Sequence, residues 1–216
     1  MKRRDFSICA LATVVAGSAM WSPARAQSRR PQAGWEYFQL AKRVPVEAPA
    51  GTIEVVEFFW YNCPHCNAFE PSLEAWQKSL PADVTLRRIP VGFRDEFVPQ
   101  QRLFFTLQAM GLVDKLHAKV FAAIHGEHLD LTRGKTIAAW VTQQGVDGAK
   151  FASIYDSKEV GDRVSQATSL QDAYGVAGVP ALGVAGRFYT DGSMAGSMAR
   201  VLQVVDYLVA DVRSAK

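Results

Sequence analysis

The chain predicts an α/β fold in which a small strand-and-helix domain is interrupted by one continuous all-helical insertion. Three observations predict it. An apolar run at 52–60 is followed by a helical pattern and then a second strand pattern at 84–91. From about 97 to 174 the apolar spacing turns helical throughout. After Pro180 the strand pattern returns as a hairpin, followed by an amphipathic helix.

Thr52 to Trp60 is short, β-branched and aromatic, and Pro49-Ala50-Gly51 bounds it, which marks a buried strand. A helix is expected from Cys63 to about Ser79, with Phe69, Leu73 and Trp76 on one face. Pro71 falls inside that helix and, lacking an N–H, should kink it. Val84 to Val91 forms the second strand, in which Val84, Leu86 and Arg88 alternate with Thr85, Arg87 and Ile89. A strand–helix–strand unit implies a parallel pair with a right-handed crossover.

Leu103, Leu107 and Met110 recur at helical spacing before Gly111, as do Leu116, Val120 and Ile124 before Gly126. Shorter helical pieces follow around 136–144, 148–155 and 159–173. Ala181 to Val184 and Arg187 to Tyr189 read as strands joined by a tight turn at Ala185-Gly186. From about Ser197, Met198, Val201, Leu202, Val205, Leu208, Val209 and Val212 form one apolar stripe.

The first residues carry export grammar. Met1-Lys2-Arg3-Arg4-Asp5-Phe6 is a basic head, Ile8 to Trp21 is apolar, and Ala24-Arg25-Ala26 is a small-x-small cleavage site. The apolar stretch falls short of the roughly 20 residues that span a bilayer. Residues 1–26 are therefore expected to be a removed signal peptide, with the mature protein in the periplasm. Arg3-Arg4-Asp5-Phe6 also resembles the twin-arginine export pattern. This segment carries Lys2, Arg3, Arg4 and Arg25 against Asp5, which accounts for the whole chain's net charge of +3. The remainder is formally neutral, so the charge balance gives no reason to expect nucleic acid or an anionic membrane as partner.

Of the three cysteines, Cys9 leaves with the signal. Cys63 and Cys66 remain, with two residues between them and directly after a buried strand, and such a pair makes no structural framework of bridges. A Cys-x-x-Cys pair at a helix start has its first sulfur aimed at unpaired backbone N–H groups and the positive end of the helix dipole. That setting favours thiolate, the species that attacks disulfides. The pair therefore points to thiol–disulfide exchange. Glu57 interrupts the apolar strand, and an ionised carboxylate there would be costly. It reads as a buried acid with a raised pKa that relays protons for Cys66, with a solvent-facing edge position as the alternative.

Glu57-Phe58-Phe59, then Cys63-Pro64-His65-Cys66, then Phe69 and Glu70, resemble the thioredoxin-fold periplasmic disulfide oxidases of the DsbA type. Gly178-Val179-Pro180 before the hairpin and the terminal helix extend the resemblance over nearly the whole mature chain. It implies a thioredoxin fold carrying an inserted all-helical domain, with 27–96 and 175–216 forming the thioredoxin-like part and 97–174 the insertion. It implies that Cys63 is the attacking thiolate and Cys66 the buried resolving thiol. Pro64 and His65 complete the redox motif, with His65 stabilising the Cys63 thiolate. Pro180 matches a cis-proline beside the active site, Val179 offers backbone to an extended substrate, and Glu57 matches the buried acid.

The implied activity is donation of the Cys63–Cys66 disulfide to exported proteins with paired cysteines, followed by reoxidation by a DsbB-like membrane partner. No cofactor and no metal are implied. Trp60-Tyr61-Asn62 departs from the family pattern, and Trp60 and Tyr61 read equally as core or as groove rim. A reductase or isomerase of the same fold is the second reading; isomerases of that kind dimerise through a separate domain that this sequence lacks, so a monomer is expected. In a third reading, the chain is a non-enzymatic zinc-binding protein in which His125 and His128 complete the cysteine pair. Otherwise those two histidines are surface loop residues and His117 lies on a helix face.

Overall fold

The structure, a computed structural model, describes residues 29–215; the expected export signal at 1–26 lies outside the described residues. Five strands form one sheet: β1 (Phe38–Gln39), β2 (Ile53–Phe59), β3 (Val84–Pro90), β4 (Ala181–Val184) and β5 (Phe188–Asp191), in the order β1-β5-β4-β2-β3. β2 pairs in parallel with β3, from Ile53 opposite Val84 to Phe59 opposite Pro90, and antiparallel with β4. The parallel pair is the one that strand–helix–strand order requires.

β2 is an interior strand, between β4 and β3, and all seven of its residues are buried. Alternate side chains point to opposite faces of a strand, and here they feed two separate cores. Ile53 and Val55 pack with Phe69 and Leu73 of α1 (Pro64–Lys78) and with Val201, Val204 and Leu208 of α8 (Met198–Ser214). Val56 and Phe58 pack on the other face with the helical block. That block comprises α2 (Val98–Ala109), α3 (Val113–Phe121), α4 (Gly134–Gln143), α5 (Gly148–Tyr155) and α6 (Lys158–Tyr174). A 3₁₀ turn at Asp95–Phe97 leads into α2, and a π turn at Ala122–Gly126 extends α3. A short helix, α7 (Gly192–Ala195), precedes α8.

The hairpin turn falls where the sequence puts it. Ala185 and Gly186 both have left-handed backbones, φ 54° and 64°, the pattern of a two-residue turn between twisted antiparallel strands. Gly186 has a second reason to lack a side chain: a Cβ there would lie 2.0 Å from the Val44 carbonyl oxygen. β5 runs two residues past the expected end at Tyr189. Pro71 sits within α1, which continues to Lys78.

Two features differ from expectation. β1 has no strand pattern; it forms because its backbone pairs with β5 at Phe38–Tyr189 and Gln39–Phe188. The sequence from Gln27 to Arg30, ahead of Pro31, predicts a flexible lead-in, yet the chain is tied down at Arg29 and Arg30. The Arg29 carbonyl accepts from Arg200 at 2.5 Å, and Arg30 Nε donates to the Tyr207 hydroxyl at 3.0 Å. Both anchors lie on α8, too far along the chain for local pattern to reveal them.

Candidate active site

Cys63 is the N-cap of α1 and Pro64 opens the helix, where a missing N–H costs nothing. The cap side chain makes no hydrogen bond of the usual Ser or Asp kind, so the sulfur stands where a capping oxygen would. Cys66 lies one turn on, fully buried, while Cys63 is 7% exposed. Both are free thiols in this structure.

Their acidities are pushed in opposite directions. Cys63 is drawn down from 9.0 to about 6, chiefly by a hydrogen bond from the Cys66 thiol. Burial opposes the shift, while the backbone N–H groups of Cys66 and His65 and the charge on His65 add to it. Cys66 is pushed far up by burial and then by the neighbouring Cys63. The imidazole on which the sequence places most weight is thus the last of the contributors. His65 is exposed and lines the groove instead.

The Val179–Pro180 peptide bond is cis. The Val179 carbonyl oxygen lies 3.4 Å from Cys63 Sγ, which brings 179 and 180 to the reactive sulfur across more than a hundred residues of chain. Beside them a cavity of about 540 Å³ is lined by His65, Gly178, Val179, Pro180, Ser193 and Met198. An extended chain laid there would meet the Val179 backbone on one side and Cys63 on the other.

Glu57 is fully buried on an interior strand, which excludes the edge position. Burial, and then the charge of Glu70, push its carboxyl from 4.5 to about 8. It also lies close enough to Cys66 to raise that thiol further. Directly across the parallel ladder stands Arg88, whose Nε is 3.2 Å from Glu57 Oε2. Arg88 donates more firmly to Glu70 Oε1, at 2.6 Å. Burial works against the Glu70 carboxylate, but His117 and Arg88 hold it below its ordinary value. His117 Nε2 is 3.3 Å from Glu70 Oε1, and its Nδ1 is 2.8 Å from the Tyr61 hydroxyl.

The sequence reading places Glu70 in the motif but gives no role to Glu70, Arg88 or His117. Two signals for this cluster exist. Cys66 and Glu70 are four residues apart on one helix and so share a face. Arg88 falls in the inward register with Val84 and Leu86, a charge where an apolar residue is expected. His117 has no local signal. It lies on α3 as expected, but on the buried face.

Trp60 and Tyr61 both resolve toward the interior. Tyr61 is buried, and Trp60 is partly buried against Phe97 at a centroid distance of 4.0 Å. His125 needs correction: it lies in the π turn rather than a loop and is half-buried, with Nε2 2.8 Å from the Tyr61 carbonyl oxygen. His128 is exposed, as expected. Among the described residues no group of three or more His, Cys, Asp or Glu side chains converges on a point that could hold a metal ion.

Comparison with known proteins agrees with this geometry. A family model described as "DSBA-like thioredoxin domain" matches residues 54–203. A thiol:disulfide interchange protein DsbA of Bordetella parapertussis is 40% identical over 214 residues, covering 99% of this chain and 100% of the relative. The protein of the same name from Burkholderia cepacia is 38% identical, covering 94% and 93%. The crystal structure of Pseudomonas aeruginosa DsbA superposes with a TM-score of 0.81 at 42% identity, covering 86% of this chain and 96% of that one. The oxidoreductase DsbA of Xylella fastidiosa follows at 0.79 and 30%, covering 86% and 99%. The mixed sheet with its helical insertion is thus a thioredoxin-like fold of the DsbA kind, and the chain belongs to the DSBA-like thioredoxin domain family as a protein disulfide oxidoreductase.

Proposed function

We propose that this oxidoreductase works in the oxidising direction, passing its Cys63–Cys66 disulfide to exported proteins with paired cysteines. The observation that carries this reading is the opposed acidity of the two sulfurs, one held near 6 and the other pushed far up. A substrate thiolate attacks Cys63 Sγ, the S–S bond breaks, and Cys66 leaves as a thiolate. Cys66 cannot stay charged in its buried setting, so it takes a proton, and Glu57 is the acid beside it. The second substrate thiolate then attacks the substrate sulfur of the mixed disulfide. The substrate's own disulfide forms and Cys63 departs as a stable thiolate.

The direction follows from the same acidity. Stabilising the Cys63 thiolate stabilises the reduced protein and makes the oxidised form the stronger oxidant. Each pH unit of stabilisation is about 1.4 kcal/mol, and for a two-electron couple that is roughly 30 mV. In this reading Val179 and Pro180 hold the substrate as an extended segment, and Pro64 and His65 form the exposed lip of the groove. The protein acts as a monomer in the periplasm after loss of residues 1–26, and a membrane-bound partner of DsbB type withdraws its electrons. Support for the compartment comes from the leader's charge and apolar pattern; support for the partner comes from family membership.

Equilibration with glutathione tests the direction. The potential is expected far above the roughly −270 mV of thioredoxin. A value at or below that of thioredoxin makes the protein a reductase and overturns the reading.

A further inference from the structure

We propose that Glu57, Arg88, Glu70 and His117 form one buried cluster holding a single mobile proton, shared between Glu57 beneath Cys66 and His117 beside a solvent-lined cavity. His117 is then a positioning residue for the Cys66 step. This rests on the assignment of Glu57 as proton source for Cys66, and extends it by saying what balances the charge Glu57 leaves behind.

Contact geometry makes the four side chains one unit. Arg88 bridges the two carboxyls, at 3.2 Å to Glu57 and 2.6 Å to Glu70, and His117 closes on Glu70 at 3.3 Å. All four side chains are at most 12% exposed. Arginine keeps its charge under all ordinary conditions, so the sum depends on the other three. With Glu57 protonated, Glu70 ionised and His117 neutral, the cluster is neutral. When Glu57 gives up its proton the cluster becomes a buried net negative charge, which is strongly unfavourable. Protonation of His117 restores neutrality; Glu70 has an unpaired Oε2, but the 2.6 Å contact from Arg88 to Oε1 favours its ionised form.

The unpaired atoms agree with this division. Neither Glu57 oxygen has an aligned donor among the described residues, since Arg88 Nε faces it without hydrogen-bond geometry. A carboxyl with no aligned donor keeps its proton more readily than one gripped as Glu70 is. At the other end, the Tyr61 hydroxyl can donate to Nδ1 of neutral His117 or accept from it when charged, so both states are accommodated.

The two ends also meet different surroundings. Glu57 faces Cys66, Glu70, Arg88 and, through space, Tyr61. His117 faces Tyr61 and Glu70 inward. Outward it lines a cavity of about 440 Å³ with Glu74, Lys78, Arg88 and Asp114. That cavity shares no lining residue with the substrate groove. The balance is one proton moved: Glu57 carboxyl and neutral His117 become Glu57 carboxylate and imidazolium, and solvent in the cavity resets the pair.

The test is titration of the oxidised protein, in which neither cysteine ionises, with carboxyl-labelled glutamate and ring-labelled histidine followed by NMR. In His117→Gln the Glu57 midpoint is expected to rise by about one pH unit, the size of a unit charge acting across two ion-pair contacts in partly solvated protein. In Glu57→Gln the His117 midpoint is expected to fall by the same amount, because such coupling is reciprocal. An unchanged Glu57 midpoint in folded His117→Gln overturns the inference. Should that variant not fold, an unchanged His117 midpoint in Glu57→Gln does so alone. Failure here with Cys63 still alkylating at low pH leaves the proposed reaction standing; an ordinary Cys63 profile removes the reaction itself.

Discussion

The indole of Trp60 stacks on the ring of Phe97, with centroids 4.0 Å and planes 29° apart. This ties the turn before the reactive cysteine to the turn that opens the helical block. The next two residues repeat the pattern: Tyr61 bonds His117 of α3, and Asn62 Oδ1 accepts from Gln100 Nε2 of α2 at 2.8 Å. The tripeptide directly before Cys63 is thus a place where the helical block and the active site are joined.

Gln100 is buried, and the same amide nitrogen also donates to the Leu131 carbonyl at 3.1 Å. Gln100→Ala leaves both acceptors unpaired. A loss of about 1–3 kcal/mol is expected, read from urea unfolding. A change within error would mean that the turn holds itself without the block.

Alkylation of the reduced protein should follow Cys63 alone, with a midpoint near 6 rather than 9. The stability consequence has a definite sign. Between those values the unfolded chain holds the proton and the native one does not, so the contribution of Cys63 to the stability of the reduced protein grows as pH rises from 6 to 9. The urea midpoint of wild type minus that of Cys63→Ala, in which the opposing Glu57 contribution cancels, should rise across that window; a flat difference would mean that Cys63 holds its proton like an ordinary thiol.

Glu57 has the opposite sign. Its carboxyl is held near 8 against an ordinary 4.5, so native protein binds the extra proton and loses stability as pH rises through that window. Glu57→Gln should therefore be more stable than wild type at pH 8 and show little advantage at pH 4.5. Thermal melts at the two pH values decide this; an advantage that is the same at both would place the carboxyl outside the buried cluster.

Gly186→Ala combines a left-handed backbone with a Cβ driven into the Val44 carbonyl. A loss beyond about 2 kcal/mol is expected. Gly111→Ala, also left-handed but with open space around it, should cost only about 1 kcal/mol. Equal losses would mean that strain, rather than contact with Val44, dominates at the hairpin.

Much of the strand and helix order was legible because β2, β3, β4 and α8 each carry their own apolar period. The reactive pair was legible because its chemistry is local: a cap position, a proline and a spacing. What stayed hidden depends on residues meeting from distant segments. β1 is held only by pairing with β5, and His117 acquires its surroundings only when α3 settles against α1. The weight given to His65 shows a limit of a different kind. Its proximity in sequence to Cys63 is real, yet the Cys66 thiol and two backbone N–H groups contribute ahead of it.

The docking of Arg29 and Arg30 on α8 sets an order of events for a chain that emerges N-terminus first. Their partners, Arg200 and Tyr207, are 171 and 177 residues further on. β2 likewise waits for β4 before its second edge is covered. Arg29 and Arg30 are therefore among the last residues to be seated, and an interrupted polypeptide that stops short of Pro180 leaves β2 with a bare edge where β4 belongs.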